Sequence, residues 1–445
     1  MKRALIAAGA LTGLLLLGVP AAVAGTHKDV TVTGAGATFP LNMIEQWKSD
    51  FNKSSGVTIA YTGVGSGAGR TQLIAGTVDF AGSDVPAAAA EVDQLKAKYG
   101  EFVYIPETSG GISVQYNIPG LTGLKLSGVT LAKIFSGAIT SWDDPAVGAD
   151  NGTPGPKLPI QVFVRSDKSG TSGVFTEYLS KVAPNDWKAG ATQTFPTDKG
   201  QIGKAGSDGV ANAVKAAQGG IGFAEHSFAV ERQLGEVQVK NGAGEFKGPD
   251  TANVTAAIDA AGINPDGTLT LNYNATNPGV YPISTVSYLL VPTKMDPAKA
   301  DNLIAFLNYA LGDGQGKAAG LGYAPLPDRI RKASQTAVTK INATAAAAAP
   351  APVAAASPAP TPTPAPAPAA TAPKAAPKQA AAAPAPKPAA AAAPAAEAAA
   401  PAPDPAIANT GAFSDAMTAL AGALFVLGGL CVGLGRKRRA AAARI

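Results

Sequence analysis

Apolar and polar positions change period repeatedly along this chain, and each change marks an element. Leu41 to Phe51 carries Ile44, Trp47 and Phe51 at helical spacing, with Pro40 suited to a first helical position. Val57 to Thr62 is β-branched and bounded by glycine, which predicts a strand, and Arg70 to Ala75 after it has helical character. Ile160 to Arg165 reads as a strand running through a Gly/Ser loop into a helix over Val174 to Val182. Strand and helix patterns thus alternate, as α/β architecture requires.

One design recurs in this pattern: a β-rich run, a Gly/Ser/Thr loop, then a helix start. The loops are GAGATFP (Gly34 to Pro40), GVGSGAG (Gly63 to Gly69) and RSDKSGTS (Arg165 to Ser172). Each puts hydroxyls and backbone N–H groups at a helix N-terminus, where the partial positive charge favours an anion. Such loops fall at the C-terminal ends of strands, the ligand position of open α/β sheets. Three of them with Arg165 can surround one small oxyanion, without a metal.

The two ends follow other rules. Residues 1–24 read as a secretory signal: Lys2 and Arg3, an apolar run from Ala4 to Val19, then Ala22-Val23-Ala24 as a cleavage site. From about Ala345 to Pro405 the chain is almost entirely Ala and Pro. Proline removes backbone donors and little can pack, so a disordered, semi-extended tether is expected over 343–406. Fully polyproline-like at about 3.1 Å per residue, it reaches at most roughly 190 Å. Ala416 to Gly435 has no charged residue and is long enough for one transmembrane helix, and Arg436, Lys437, Arg438 and Arg439 suit a cytoplasmic end over 436–445. Ile407-Ala408-Asn409-Thr410-Gly411, just before that span, resembles the cell-wall sorting signal of Gram-positive bacteria in its Leu-Ala-x-Thr-Gly form. That resemblance implies sortase cleavage between Thr410 and Gly411 and attachment of Thr410 to peptidoglycan, at the outer face of a Gram-positive, actinobacterial cell. The alternative is a membrane anchor that stays uncut.

Between the ends lies a globular region over 25–342, long enough for two lobes with a cleft between them. Composition narrows its chemistry. The only cysteine is Cys431, so the exported region has no disulfide or thiolate, and His27 and His226 are too few for a His/Cys metal cluster. The net charge of +5 is too diffuse to argue for nucleic acid.

GAGATFP, GVGSGAG, TVDFAGSD (Thr77 to Asp84), RSDKSGT, GSDGVANAV, GGIGFAE, YPISTVSYLLV and GYAPLPD together resemble the phosphate-binding protein of the phosphate-specific ABC transporter. They stand in that family's order across Val32 to Asp328. The resemblance implies a type II periplasmic binding protein: two α/β lobes joined by two crossovers, lobe one about 30–108 and 285–341, lobe two about 109–284. It implies inorganic phosphate as ligand, an ABC permease as partner, and neither cofactor, metal nor catalysis.

Residue by residue, the implied phosphate contacts are Thr38, Phe39, Ser66, Asp84, Arg165, Ser169, Gly170 and Thr171, with Asp167 orienting Arg165. Arg165 suits two oxyanion oxygens. Ser169, Gly170 and Thr171 offer hydroxyls and amides from one helix start, and Lys168 stands where the family usually has Gly, which calls for a solvent-directed side chain. Plainer readings exist for each: a surface Arg165, a turn-forming Asp167, a packing Phe39, an N-capping Ser66, and Asp84 capping a turn before Pro86. Asp84 is the most diagnostic. Phosphate near neutral pH keeps a proton to donate to it and sulfate does not, a difference of about 3 kcal/mol or more, roughly a hundredfold.

Rival functions have weaker support. Asp167-Lys168-Ser169-Gly170-Thr171 imitates the aspartyl-phosphate motif of P-type pumps, which need many membrane spans. GVGSGAG imitates a dinucleotide loop but lacks the acidic residue after the next strand, and Arg70 completes no Walker motif. A weak phosphatase would need Asp or Ser chemistry, since His226 has no evident Ser partner. A wall-displayed phosphate scavenger or adhesin on the same fold is the other alternative.

Overall fold

The computed structural model describes residues 26–342. The expected signal (1–24), tether (343–406), sorting motif with Thr410 and Gly411 (407–411), apolar span (416–435) and basic tail (436–445) lie outside the described residues. Among the described residues, no helix is long and apolar enough to cross a membrane.

The first half of the chain's sheet is built from β1 (Val32–Gly36), α1 (Leu41–Ser55), β2 (Ile59–Gly63), α2 (Ser66–Ala75), β3 (Phe80–Ser83) and α3 (Ala89–Tyr99). β4 (Phe102–Asn117) follows, and its 16 residues are long enough to serve both halves. The second half uses β5 (Gln161–Arg165), α4 (Gly170–Val182), β6 (Ile202–Lys204), α5 (Gly206–Ala216), β7 (Gly220–Glu225) and β8 (Gly235–Glu236). The chain then returns through β9 (Ser284–Pro292), α6 (Pro297–Leu311) and α7 (Asp328–Val338).

These strands form one nine-stranded sheet in the order β2-β1-β3-β9-β4-β7-β5-β6, with β8 also on β4. β1 pairs in parallel with β2 and β3, and β5 with β6 and β7, so each half has a parallel core. β9 and β4 run antiparallel through the middle. β4 pairs with β9 from Phe102 to Gly111 and with β7 from Ile112 to Asn117, so a single strand crosses from one half to the other.

The expected periodicities locate these elements, with shifts at their ends. α1 buries Met43, Ile44, Trp47 and Phe51 and ends at Gly56, whose φ of 77° is the left-handed conformation that terminates helices. Pro40 is the N-cap of α1 and not its first helical residue. β2 starts at Ile59, two residues after Val57, and α2 starts at Ser66, four residues before Arg70. The loops are therefore tighter than the sequence motifs: Gly34 to Gly36 belong to β1, and Ser66 and Gly170 already begin helices. Behind the loops, Phe175 stacks on Phe223 with ring centroids 4.4 Å apart, and Phe51 meets Phe306 edge-on at 5.5 Å. These apolar layers make the strand ends a rigid platform for the loops.

Candidate anion-binding site

All three expected strand-loop-helix units open towards each other at the boundary between the two halves, and a fourth joins them. That fourth unit is β6, Gly206 and α5, which contributes Ser207. Thr38 Oγ1, just after β1, lies 3.0 Å from Ser207 Oγ and accepts from the Ser207 N–H at 3.1 Å. Ser66 Oγ, at the start of α2, accepts from the N–H of Gly170 at 3.1 Å. The Thr171 hydroxyl donates to Asp84 Oδ2 at 3.0 Å, and Ser287 of β9 donates to Asp84 Oδ1 at 3.1 Å. Residues from both halves thus form one hydrogen-bonded cluster.

The cluster is shielded from water. Thr38, Phe39, Ser66, Asp84, Arg165, Ser169, Gly170, Thr171 and Ser207 are all buried. Among the described residues, the backbone N–H groups of Thr38, Phe39, Ser66 and Thr171 find no backbone acceptor. Buried N–H groups are rarely left so, and four of them beside helix starts make an environment suited to an anion. Ser169 caps α4 by accepting from the Ser172 N–H at 3.2 Å. Phe39 contributes its backbone, because its ring packs edge-on against Tyr323 and its carbonyl accepts from the Tyr323 hydroxyl at 2.7 Å.

Arg165 ends β5 with its side chain 1% exposed. Its Nε and Nη2 donate to the two carboxylate oxygens of Asp167 at 2.8 and 2.5 Å, and Nη1 donates to Ser207 Oγ at 3.3 Å. A guanidinium has five N–H donors. Asp167 occupies the edge beside Nε, so the fork left for a ligand is the terminal one, with an N–H on each Nη. Asp167 also accepts from the Gly206 N–H at 3.1 Å, which ties the arginine to α5. Burial would raise the Asp167 pKa, but the Arg165 hydrogen bonds overcome it and hold the carboxyl below its usual range. The pair is neutral overall, so attraction for an anion comes from fixed N–H dipoles and unspent donors more than from net charge.

Asp84 sits immediately after β3, 2% exposed, with its carboxyl inside this donor-rich cluster. Burial pushes its pKa up to about 6, although Thr171, Arg165, Ser287 and Arg70 all act to lower it. An acceptor among donors distinguishes this site from a generic anion hole. It asks for a guest that carries a proton.

Close approach requires glycine at two positions. A Cβ on Gly170 would lie 2.5 Å from Ser66 Oγ, and one on Gly65, whose φ is 90°, would lie 2.2 Å from Asp167 Oδ2. Lys168 is exposed, as a side chain at this position must be, and also makes an ion pair. Its side chain is 49% exposed, and at the surface its Nζ reaches Glu91 of α3 at 3.0 Å. Glu91 also takes the Nε of buried Arg70 at 2.8 Å, while Arg70 Nη2 donates to Gln193 of the second half at 2.8 Å. This network is a second connection between the halves, beside the site.

Ser207 and Ser287 belong to the cluster, and Arg70 to the network beside it, yet none of the three stands out from sequence as a site residue. Ser207 had a usable signal, since Gly206-Ser207-Asp208 repeats the strand-loop-helix design. Ser287 lies within an apolar strand and carries no such signal. Among the described residues, no group of His, Cys, Asp and Glu is placed to hold a metal ion.

Comparison with known proteins bears on the family and the fold. A family model described as "PBP superfamily domain" matches residues 21–313. A phosphate-binding protein PstS from Haemophilus influenzae is 38% identical over 304 residues, covering 67% of this chain and 89% of that protein. A phosphate-binding protein PstS 2 from Mycobacterium tuberculosis is 37% identical, covering 69% of this chain and 86% of its own length. The chain belongs to the PstS phosphate-binding protein family. Among solved structures, a high-affinity periplasmic phosphate-binding protein (PfluDING) with phosphate bound superposes with a TM-score of 0.59 at 25% identity, over 69% of this chain and 93% of that one. The fold is therefore the α/β type II periplasmic binding fold shared with solved phosphate-binding proteins of this family.

Proposed function

We propose that this protein captures inorganic phosphate between the two halves of its fold and delivers it to an ABC permease, binding without catalysing. The observation that carries this reading is Asp84, a buried acceptor set among donors from both halves. A tetrahedral guest accepts from the N–H groups of Thr38, Phe39, Ser66 and Thr171, from the Ser66 and Ser169 hydroxyls, and from the terminal fork of Arg165, while the Thr171 hydroxyl stays on Asp84. Its own hydroxyl donates to Asp84. Gly170 lets α4 approach Ser66 closely, and Asp167 keeps the guanidinium in place. The family's names support the ligand, since the relatives above are phosphate-binding proteins.

Isothermal titration of residues 26–342 with phosphate, sulfate, molybdate and ATP tests this. Tight one-to-one binding of phosphate, with sulfate at least about a hundredfold weaker, is expected. Equal affinity for sulfate and phosphate would remove the role given to Asp84.

Placement at the cell surface is inferred from sequence order alone: a leader over 1–24, an Ala/Pro tether, the Ile407 to Gly411 pentapeptide, an apolar span and a basic end. This arrangement supports an exported protein held on the outer face by a membrane segment or, after sortase cleavage at Thr410, by peptidoglycan. Fractionation of cells with and without Thr410→Ala separates the two, because only a sortase substrate shifts from wall to membrane.

A further inference from the structure

Behind the site, the middle of β4 carries a residue that the capture scheme above does not use. The β4–β9 register pairs Thr108 with Ser287 and then Pro106 with Tyr288, so Glu107 is the extra residue of a β-bulge. Bulges re-aim side chains and recur beside functional sites. Gln315 fixes this one by donating to the Glu107 carbonyl at 2.9 Å, and α7 does so from the other side, where Ser334 donates to the Pro106 carbonyl at 2.7 Å.

The Glu107 side chain is 1% exposed, and neither carboxyl oxygen has a hydrogen-bond partner of good geometry among the described residues. Its polar surroundings are few. Ser287 lies close enough to favour its charged form while donating to Asp84, and Asp84 opposes that form. Tyr61 of β2 and Tyr323 of the segment before α7 are buried, and near enough for a Glu107 charge to raise their pKa values further. Both phenols spend their protons elsewhere, on the carbonyls of Ala37 and Phe39 at 2.9 and 2.7 Å. Among the described residues, no cation contributes to its charge environment.

An unpaired, buried, ionised carboxyl beside a second carboxyl is too costly to keep. We propose that Glu107 is a positioning residue for phosphate capture: held by the bulge next to the Thr108–Ser287 pair, it carries a proton and turns to donate it to Ser287 Oγ when the ligand is bound. Ser287 then donates to Asp84, and Asp84 is held as the acceptor for the ligand's hydroxyl. This inference deepens the phosphate reading and rests on it. Burial, with Asp84 adding to it, raises the Glu107 pKa to about 8, so ionisation falls in an accessible range.

The ligand-bound protein then excludes ionised Glu107, and binding above that range must take up a proton. Calorimetry of phosphate binding to the full-length protein, in buffers of different ionisation enthalpy from about pH 6.5 to 9.5, reads both affinity and proton uptake. The expected result is net proton uptake in the alkaline range and an affinity that falls by up to about tenfold per pH unit there. Glu107→Gln, which keeps shape and burial, should abolish the uptake and flatten the decline. Equal uptake and slope in Glu107→Gln and wild type would reduce Glu107 to a core residue and overturn the proposal. Should that variant fail to fold, the wild type still decides, because binding without alkaline proton uptake also overturns it. A wild type that binds no phosphate at any pH would instead sink the reading of the site itself.

Discussion

Thr171 Oγ1 stands 3.0 Å from Asp84 Oδ2, joining the first turn of α4 in one half of the fold to the end of β3 in the other. The carboxylate to which the proposed capture scheme gives ligand selection is thus part of a contact between the two halves. With Ser287 on its other oxygen, Asp84 cannot rotate away from an unsuitable guest. Asp84→Asn should therefore leave phosphate binding measurable but relax rejection of sulfate by at least about tenfold, since the amide can donate where the carboxylate could only accept. Competition titrations of sulfate against phosphate measure this, and unchanged selectivity would contradict the assignment.

The same carboxyl gives selectivity a pH dependence. Its pKa of about 6 means that it is protonated in acid, and protonated Asp84 can donate to an oxygen that has no proton. Sulfate affinity relative to phosphate should rise as pH falls through about 6 and stay low above it. Wild-type titrations at about pH 5 and pH 8 supply the comparison.

Arg165→Ala removes the guanidinium and leaves the partly buried Asp167 facing Gly206 alone. Losing one partner of a buried, hydrogen-bonded charge pair costs about 3 kcal/mol, so phosphate affinity should drop more than a hundredfold. Calorimetry gives the affinity, and a lower melting temperature in the absence of ligand should accompany it.

Gly170→Ala tests closure separately from chemistry. Alanine suits a helix, but its Cβ would stand 2.5 Å from Ser66 Oγ and 2.9 Å from the backbone nitrogen of Asp84. Overpacking of this kind costs about 1–3 kcal/mol, and here it falls on the contact between the halves. The variant should fold with near wild-type stability yet bind phosphate at least about fivefold more weakly; unaltered binding would mean the halves need not approach this closely.

Stability against pH should peak on the acid side of neutrality. Burial raises Glu225 to about 8, so the folded state binds its proton more tightly than the unfolded chain does. That stabilisation is complete below the ordinary glutamate value of 4.5 and is lost as pH rises towards about 8. Glu91 works oppositely. Burial pushes it up, but hydrogen bonds from Arg70, the Ala88 N–H and Lys168 prevail and hold it at about 2, so its contribution is lost as pH falls from 4.5 towards that value. Each group changes stability by at most about 1.4 kcal/mol per pH unit within its window. Melting curves of ligand-free protein across pH should show both slopes, and Glu225→Gln should weaken the alkaline one alone.

Sequence by itself determined much of this protein. The alternation of strand and helix periods placed the α/β units, because a core-facing side must repeat at the period of its element. Gly, Ser and Thr between those units located three of the four loops that meet in the cluster, because their small side chains and hydroxyls suit helix starts whatever lies around them. Local chemistry could go no further than residues near one another in the chain. Only tertiary structure decided that Asp167 takes the Nε edge of Arg165, that Ser287 from a strand more than two hundred residues away donates to Asp84, and that Glu107 is the extra residue of a bulge beside Ser287. Those relations depend on strand order and register, which are settled by how the whole core packs, so no stretch of residues spells them out.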